Sequence, residues 1–307
     1  MIEQLLTRAS ADVRVGIGDD CAVLSPSAQP RVWTIDCASE GVHFSRAHMS
    51  LEQAAYRAFM AAASDVAAMG GRCVAALSAL TLPAALSDGE LRELVVGIAR
   101  ASDRCGCPVI GGNLARADTL SLTTTVLGEC PRGVLTRKGA RVGDAIYVTG
   151  ALGAAALGLS ALLAGRAAEL RFAEAVRRFR EPRARLDVGL VLAELASAAI
   201  DLSDGLLQDL AHLCRASAVG AELEAARLPL LPDFAGAAEA LGKPPLALAL
   251  SGGEDYELLF TAPASLPAEL ATRIGTVTSS SRGVIVLDDT GCPLDVDARG
   301  FDHFAES

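Results

Sequence analysis

Leu51-Glu-Gln-Ala-Ala-Tyr-Arg-Ala-Phe-Met-Ala-Ala-Ala-Ser-Asp65-Val-Ala-Ala-Met69-Gly-Gly-Arg72-Cys-Val-Ala-Ala-Leu-Ser-Ala-Leu-Thr-Leu82 decides the fold class. Ala55, Phe59, Ala62, Val66 and Met69 recur at spacings of three and four, which puts them on one face of a helix over residues 51–69. Beyond the Gly70-Gly71 break the run Arg72–Leu82 is short and mostly apolar, and reads as a strand. Asp65 interrupts a segment otherwise built from small apolar residues. An ionised carboxylate there is unfavourable by several kcal/mol unless it is paired or bound to a metal.

Working outward, Arg31-Val-Trp-Thr-Ile-Asp36 reads as a strand that delivers an acid at its end, with Thr34 on the same side as Asp36. Ser87-Asp-Gly-Glu90 is a capping box that opens a second helix. Cys107-Pro-Val-Ile-Gly-Gly-Asn113 reads as an apolar run ending in a turn, and Ser121–Glu129 as a Thr-rich strand. Strands and helices are mixed without strict alternation, so the expected class is α/β of the α+β type. A turn-rich stretch from Pro131 marks a boundary, giving domains 1–135 and 136–307. The second half is expected to hold a strand at Ala145–Thr149, an Ala/Leu-rich helix, a basic helix around Arg171–Arg180 and a helix from about Arg183 to Ser197. A strand end at Asp201 then enters a helix reaching about Ala216 with Ser203 or Asp204 as its N-cap, a strand follows at Tyr256–Thr261, and strands end near Val296.

With 307 residues the chain can form two cores, and a formal net charge of −10 argues against a nucleic-acid partner, which needs a basic face. Phosphate ligands must then be reached through cations and a few placed arginines. The eight cysteines show C-x-C but no C-x-x-C, and read as reduced cytosolic thiols rather than as disulfides or a zinc site. The uncharged run Gly150–Gly165 that follows the expected strand is shorter than the roughly 20 residues of a membrane span, and the N-terminus lacks the pattern of a secretion signal. A soluble cytoplasmic protein is expected.

Four acidic clusters beside glycine or other small residues remain: Gly16-Ile-Gly-Asp19-Asp20, Ser64-Asp65, Asp201-Leu-Ser-Asp204-Gly and Ser251-Gly-Gly-Glu254-Asp255. Crowded carboxylates repel unless cations sit between them, and hard divalent cations favour such oxygen shells. There is no Walker loop, no G-x-G-x-x-G and no visible nucleophile with a base. A phosphate acceptor would need none of these, because it is already anionic near pH 7, its second pKa being about 6.

In this order, Gly16–Leu24, Glu40–Phe44, Ser64–Gly70, Leu135–Ala140, Gly143–Gly150, Ile200–Leu206, Ser251–Leu258 and Arg299–Phe304 resemble the thiamine-monophosphate kinase family, within the aminoimidazole-ribonucleotide-synthetase-like superfamily. The resemblance spans effectively the full chain. It implies transfer of the ATP γ-phosphoryl group to thiamine monophosphate, with an N-terminal domain whose mixed sheet pairs in a homodimer and a C-terminal α/β domain. It implies Mg²⁺ ligation by Asp20, Asp36, Asp65, Asp201 and Asp204, with Thr34 and Ile35 close to the ions. Gly112, Arg137 and Ser203 are implied to contact ATP, and His43, Glu254 and Phe301 the thiamine phosphate. Asp65, Asp204 and Arg137 are the residues expected to carry catalysis.

Two departures from the family pattern stand out. Asn113 replaces the usual aspartate of a Gly-Gly-Asp run at an expected metal and ATP position, and Cys37 replaces a threonine, while Ile35 offers only its carbonyl. A raised Mg²⁺ requirement is the expectation. The alternatives are another ATP-dependent synthetase of the superfamily, or a catalytically weakened thiamine-phosphate or nucleotide binder. A selenophosphate synthetase would need an N-terminal Cys with a nearby Lys, and no lysine precedes Lys138.

Overall fold

The computed structural model describes residues 10–17, 21–263, 266–267 and 269–296, together with Leu6. The chain divides into two compact units, Met1–Val134 and Leu135–Ser307.

In the first unit, β1 (Val13–Val15) and β2 (Val23–Leu24) form a small antiparallel ribbon. The main sheet has β3 (Arg31–Ser39), β4 (Arg72–Leu82), β5 (Val109–Arg116) and β6 (Ser121–Glu129), in the order β3-β6-β4-β5. Its one parallel pair, β4 with β5, requires a crossover, supplied by α2 (Asp88–Cys105). Helix α1 (Leu51–Ala68) connects β3 to β4 and packs against both the sheet and α2. That double contact explains why its burial extends well beyond the single apolar face read from the periodicity. Both helices open with capping boxes, Ser50 with Gln53 and Ser87 with Glu90. Gly97 is where they cross closely: a Cβ there would lie 2.1 Å from the Glu52 carbonyl oxygen.

One expectation fails here. The run from Cys107 does not end in a turn at Asn113 but continues as β5 to Arg116, because parallel pairing with β4 satisfies its backbone.

The second unit is a six-stranded sheet of β7 (Ala145–Val148), β8 (Ala198–Asp201), β9 (Val219–Glu224), β10 (Leu258–Ala262), β11 (Thr272–Ser279) and β12 (Val284–Leu287). The order is β12-β9-β11-β7-β10-β8, antiparallel except for β12 with β9. Ile146, Val148, Leu258, Leu259 and Phe260 are fully buried in the central strands, and Tyr147 stacks on Phe260 with ring centres 5.4 Å apart. The helices are α3 (Ala154–Leu163), α4 (Ala173–Arg180), α5 (Leu186–Leu192), α6 (Leu206–Ser217), α7 (Phe234–Ala240) and α8 (Pro245–Ser251).

The helix expected to reach Ser197 is only α5, because Ser197 is captured by the sheet. Its N–H donates to the Thr261 carbonyl (2.7 Å) and its hydroxyl to the buried Asp144 (2.6 Å). The strand expected from Tyr256 begins at Leu258, since Glu254 and Tyr256 are left-handed (φ 70° and 50°), which no strand accommodates. The last strand ends at Leu287 rather than near Val296. The Asp288 carboxylate there accepts the N–H groups of Thr290 and Cys292 and closes a turn. Among the described residues no helix is long and apolar enough to cross a membrane, and all eight cysteines are free thiols.

Candidate active site

In the first unit, Thr34 and Asp36 share one side of β3, in the two-residue rhythm of a strand. Helix α1 packs over β3 and carries Asp65 to this position, where the Thr34 hydroxyl donates to Asp65 Oδ2 in a short contact. Burial, and secondarily the Asp65 charge, push Asp36 up to about 6. Two carboxylates thus face each other beside a hydroxyl, an all-oxygen set whose repulsion a hard cation would relieve. Among the described residues no group of three His, Cys, Asp or Glu side chains forms a metal cage. Asp20 and Phe301 lie outside the described residues.

Cross-strand register separates two residues expected at the metal. Asp36 lies opposite Thr124 and then Ser78, whereas Asn113 pairs with Ala79, then Thr123 and Cys37. Asn113 therefore shares a face with Cys37 and Ile35, opposite to that of Asp36. The side chain of Ile35, 66% exposed, is on that outer face too. Gly112 must be glycine: at φ 155° a Cβ would lie 1.9 Å from the Ser78 carbonyl oxygen. His43 sits in the turn after β3, where its Nδ1 accepts the Ser39 N–H (3.1 Å), so the neutral ring carries its proton on Nε2. Arg46 braces the same turn through Glu40 (2.7 Å) and Glu90 (2.5 Å).

In the second unit, Asp201 ends β8 and is buried. The Ser203-Asp204-Gly205 loop that follows is not capped as expected: the N-cap of α6 is Gly205, and neither Ser203 nor Asp204 caps it. The work is done by Asp209, whose Oδ2 accepts the backbone N–H groups of Ser203, Asp204 and Gly205 (3.1, 3.1 and 3.2 Å). Burial pushes Asp209 up to about 7 against the opposing effect of those bonds. Gln208 donates to the Asp204 carboxylate (3.1 Å).

The second acidic loop docks on the first. Glu254 N–H donates to Ser203 O (2.8 Å), Tyr256 N–H to Leu202 O (2.9 Å) and Leu202 N–H to Glu257 O (2.8 Å). Glycines permit this approach, since a Cβ on Gly253 would lie 2.6 Å from Ser203 O and one on Gly205 2.8 Å from Ser251. Asp201, Ser203, Asp204 and Glu254 are thereby gathered in one place. Arg137 is nearby: with burial and Arg215 leading, it helps hold His212 below its ordinary pKa, while Asp204 pulls the other way. The Arg137 carbonyl is fixed by the Ser217 hydroxyl (2.8 Å).

The other acids of these motifs have structural partners. Asp255 accepts the N–H groups of Gly153 (2.6 Å) and Ala155 (2.9 Å) at the start of α3, and burial pushes it up to about 7. Glu257 is buried and receives Thr149 (2.6 Å) and Arg185 (2.6 and 2.5 Å), with Arg178 at 3.3 Å. Asp209, His212 and Glu257 escaped the sequence reading. For Asp209 the available signal was an acid inside the first turn of a helix that also carries the Leu206, Leu210, Leu213 stripe.

Residues 18–130 match the family described as AIR synthase related protein, N-terminal domain, and residues 141–288 its C-terminal domain. The thiamine-monophosphate kinase of Escherichia coli is 39% identical, covering 96% of this chain and 93% of its own. The thiamine-monophosphate kinase of Aquifex aeolicus is 36% identical, covering 94% and 92%. The chain belongs to the thiamine-monophosphate kinase family. It is accordingly a phosphotransferase whose acceptor is a phosphate group. A solved structure described as "AaThiL complexed with AMPPCP and TMP" superposes with a TM-score of 0.83 at 35% identity, over 94% of this chain and 92% of that one. The family's two-domain α/β fold is thus the fold of this chain.

Proposed function

We propose that this chain transfers the γ-phosphoryl group of ATP in line to the phosphate of thiamine monophosphate, giving thiamine diphosphate and ADP. The observation that carries the reading is the near-full-length relation to a protein solved with AMPPCP and TMP. The acceptor is itself an anion near neutral pH, so the site needs alignment and charge neutralisation rather than a strong base. No serine or cysteine nucleophile with a base stands among the residues gathered here.

Asp36, Asp65 and the Thr34 hydroxyl fit a hard cation by their chemistry: three oxygen donors, two of them mutually repelling carboxylates. Together with Asp20, Ile35 through its carbonyl, Asp201 and Asp204, they are the residues that would hold several Mg²⁺ ions. Bound there, Mg²⁺ would supply neutralisation between the two phosphorylated substrates. Arg137, Ser203, Gly112 and Asn113 serve ATP in this reading, and His43, Glu254 and Phe301 the thiamine phosphate. Asp65, Asp204 and Arg137 are the catalytic set.

The reading includes a homodimer formed through the outer face of the first unit's sheet, where Trp33 is 65% and Ile35 66% exposed. It also places the protein in the cytoplasm, a reducing compartment suited to eight free thiols. The test uses ATP labelled in its γ-phosphate with thiamine monophosphate and Mg²⁺. Label in the terminal phosphate of thiamine diphosphate is expected, and label released only as inorganic phosphate would reject direct transfer.

A further inference from the structure

Glu254 and Tyr256 are both left-handed, at φ 70° and 50°, although neither is glycine. Such conformations are unfavourable for side chains of this size and persist only where the surroundings impose them. Between them stands Asp255, whose two carboxylate oxygens are spent on different donors, Oδ2 on Gly153 N–H and Oδ1 on Ala155 N–H. These are N-cap and first-turn amides of α3, which has no side-chain cap of its own. On either side of Asp255 the backbone is tied to the Leu202–Ser203 strand end by the Glu254 and Tyr256 amides. The segment is held at three consecutive residues, and only the middle bond set comes from a side chain.

We infer that Asp255 is a positioning residue for substrate recognition: docked on the start of α3, it holds Glu254 in its left-handed conformation and fixes how that carboxylate leaves the chain. The inference rests on the assignment of Glu254 to the thiamine phosphate. It assigns Asp255, an acid of the same motif, to a different task from its neighbour. Asp255 touches no substrate and acts only through Glu254.

Steady-state kinetics on the full chain separate this from general stabilisation. Asp255→Asn leaves one good acceptor and sets an amide against the other N–H, so the KM for thiamine monophosphate should rise about tenfold while that for ATP stays within about twofold. Combined with Glu254→Gln, it should add little to the effect of Glu254→Gln alone, as residues acting as one unit do. Equal changes in both KM values, additive effects, or no change would overturn the inference. A Glu254→Gln variant with an unaltered KM for thiamine monophosphate would instead remove the substrate assignment on which it rests. Asp255→Ser, which keeps one acceptor, serves if Asp255→Asn does not fold. Should neither fold, the wild type decides: thiamine monophosphate should slow hydrogen exchange at the Gly153 and Ala155 amides, and unchanged exchange would overturn the inference.

Discussion

Asp36 and Asp65 set the behaviour of the site at the scale of single residues. Asp36 is pushed up to about 6 by burial and by Asp65, so protons compete with any cation for this pair. Divalent-ion affinity, followed with Mn²⁺ by calorimetry, should therefore fall steeply below pH 6, and Asp36→Asn should flatten that dependence. Retention of the full pH dependence in Asp36→Asn would place the titrating group elsewhere. That Asp36 and Thr34 lie together was legible, because strand alternation at Arg31–Asp36 puts them on one side. That Asn113 falls on the other face was not: it depends on the register of β5 against β4, which is shifted at Ala76–Leu77 by an irregularity that no local pattern announces. The role of Asp209 was hidden for a related reason. A carboxylate accepting three amides from the preceding loop is defined by how that loop folds back, not by residue spacing alone.

Among the glycines at which elements meet closely, Gly97 and Gly253 each make a prediction. At Gly97 an added Cβ would lie 2.1 Å from the Glu52 carbonyl oxygen, so Gly97→Ala must push α2 from α1. Overpacking of this kind is unfavourable by about 1–3 kcal/mol, which a lowered Tm without change in either KM would register. Gly253→Ala meets Ser203 O at 2.6 Å and should separate the two acidic loops of the second unit. There the expected outcome is a loss of turnover of about tenfold or more with little change in Tm, the mark of a misplaced site in a sound scaffold. Helix α1, strand β4 and the capping box of α2 were legible because their periodicities and caps are local. The shortened α5 and the late start of β10 were not, because a sheet neighbour captures Ser197 and two left-handed residues precede Leu258.

The whole molecule should respond to pH in an unusual direction. Asp36, Asp209 and Asp255 are all raised in the fold, to about 6, 7 and 7, above the ordinary value of 3.8. Their contribution to stability is fully present below the unfolded value and is lost as pH rises through 6 to 7. Glu174, held at about 2 by Arg177 and Arg178, works the other way but only below about 4.5. The metal-free protein should therefore have a higher Tm at pH 5.5 than at pH 8, and a Tm rising steadily from pH 5.5 to pH 8 would contradict these shifts. Assembly offers a separate check of the proposed homodimer: in sedimentation velocity the wild type should run as a dimer and Trp33→Glu as a monomer, whereas a monomeric wild type or a dimeric variant would exclude this sheet face as the interface.

The most direct measurement is the thiamine diphosphate formed from ATP, Mg²⁺ and thiamine monophosphate by the wild type and by a folded Asp65→Asn variant, assayed side by side. The wild type should yield thiamine diphosphate and ADP in equal amounts, and the variant should fall to about a hundredth of that rate or less. No thiamine diphosphate from the wild type, or an undiminished rate in the variant, would contradict the account.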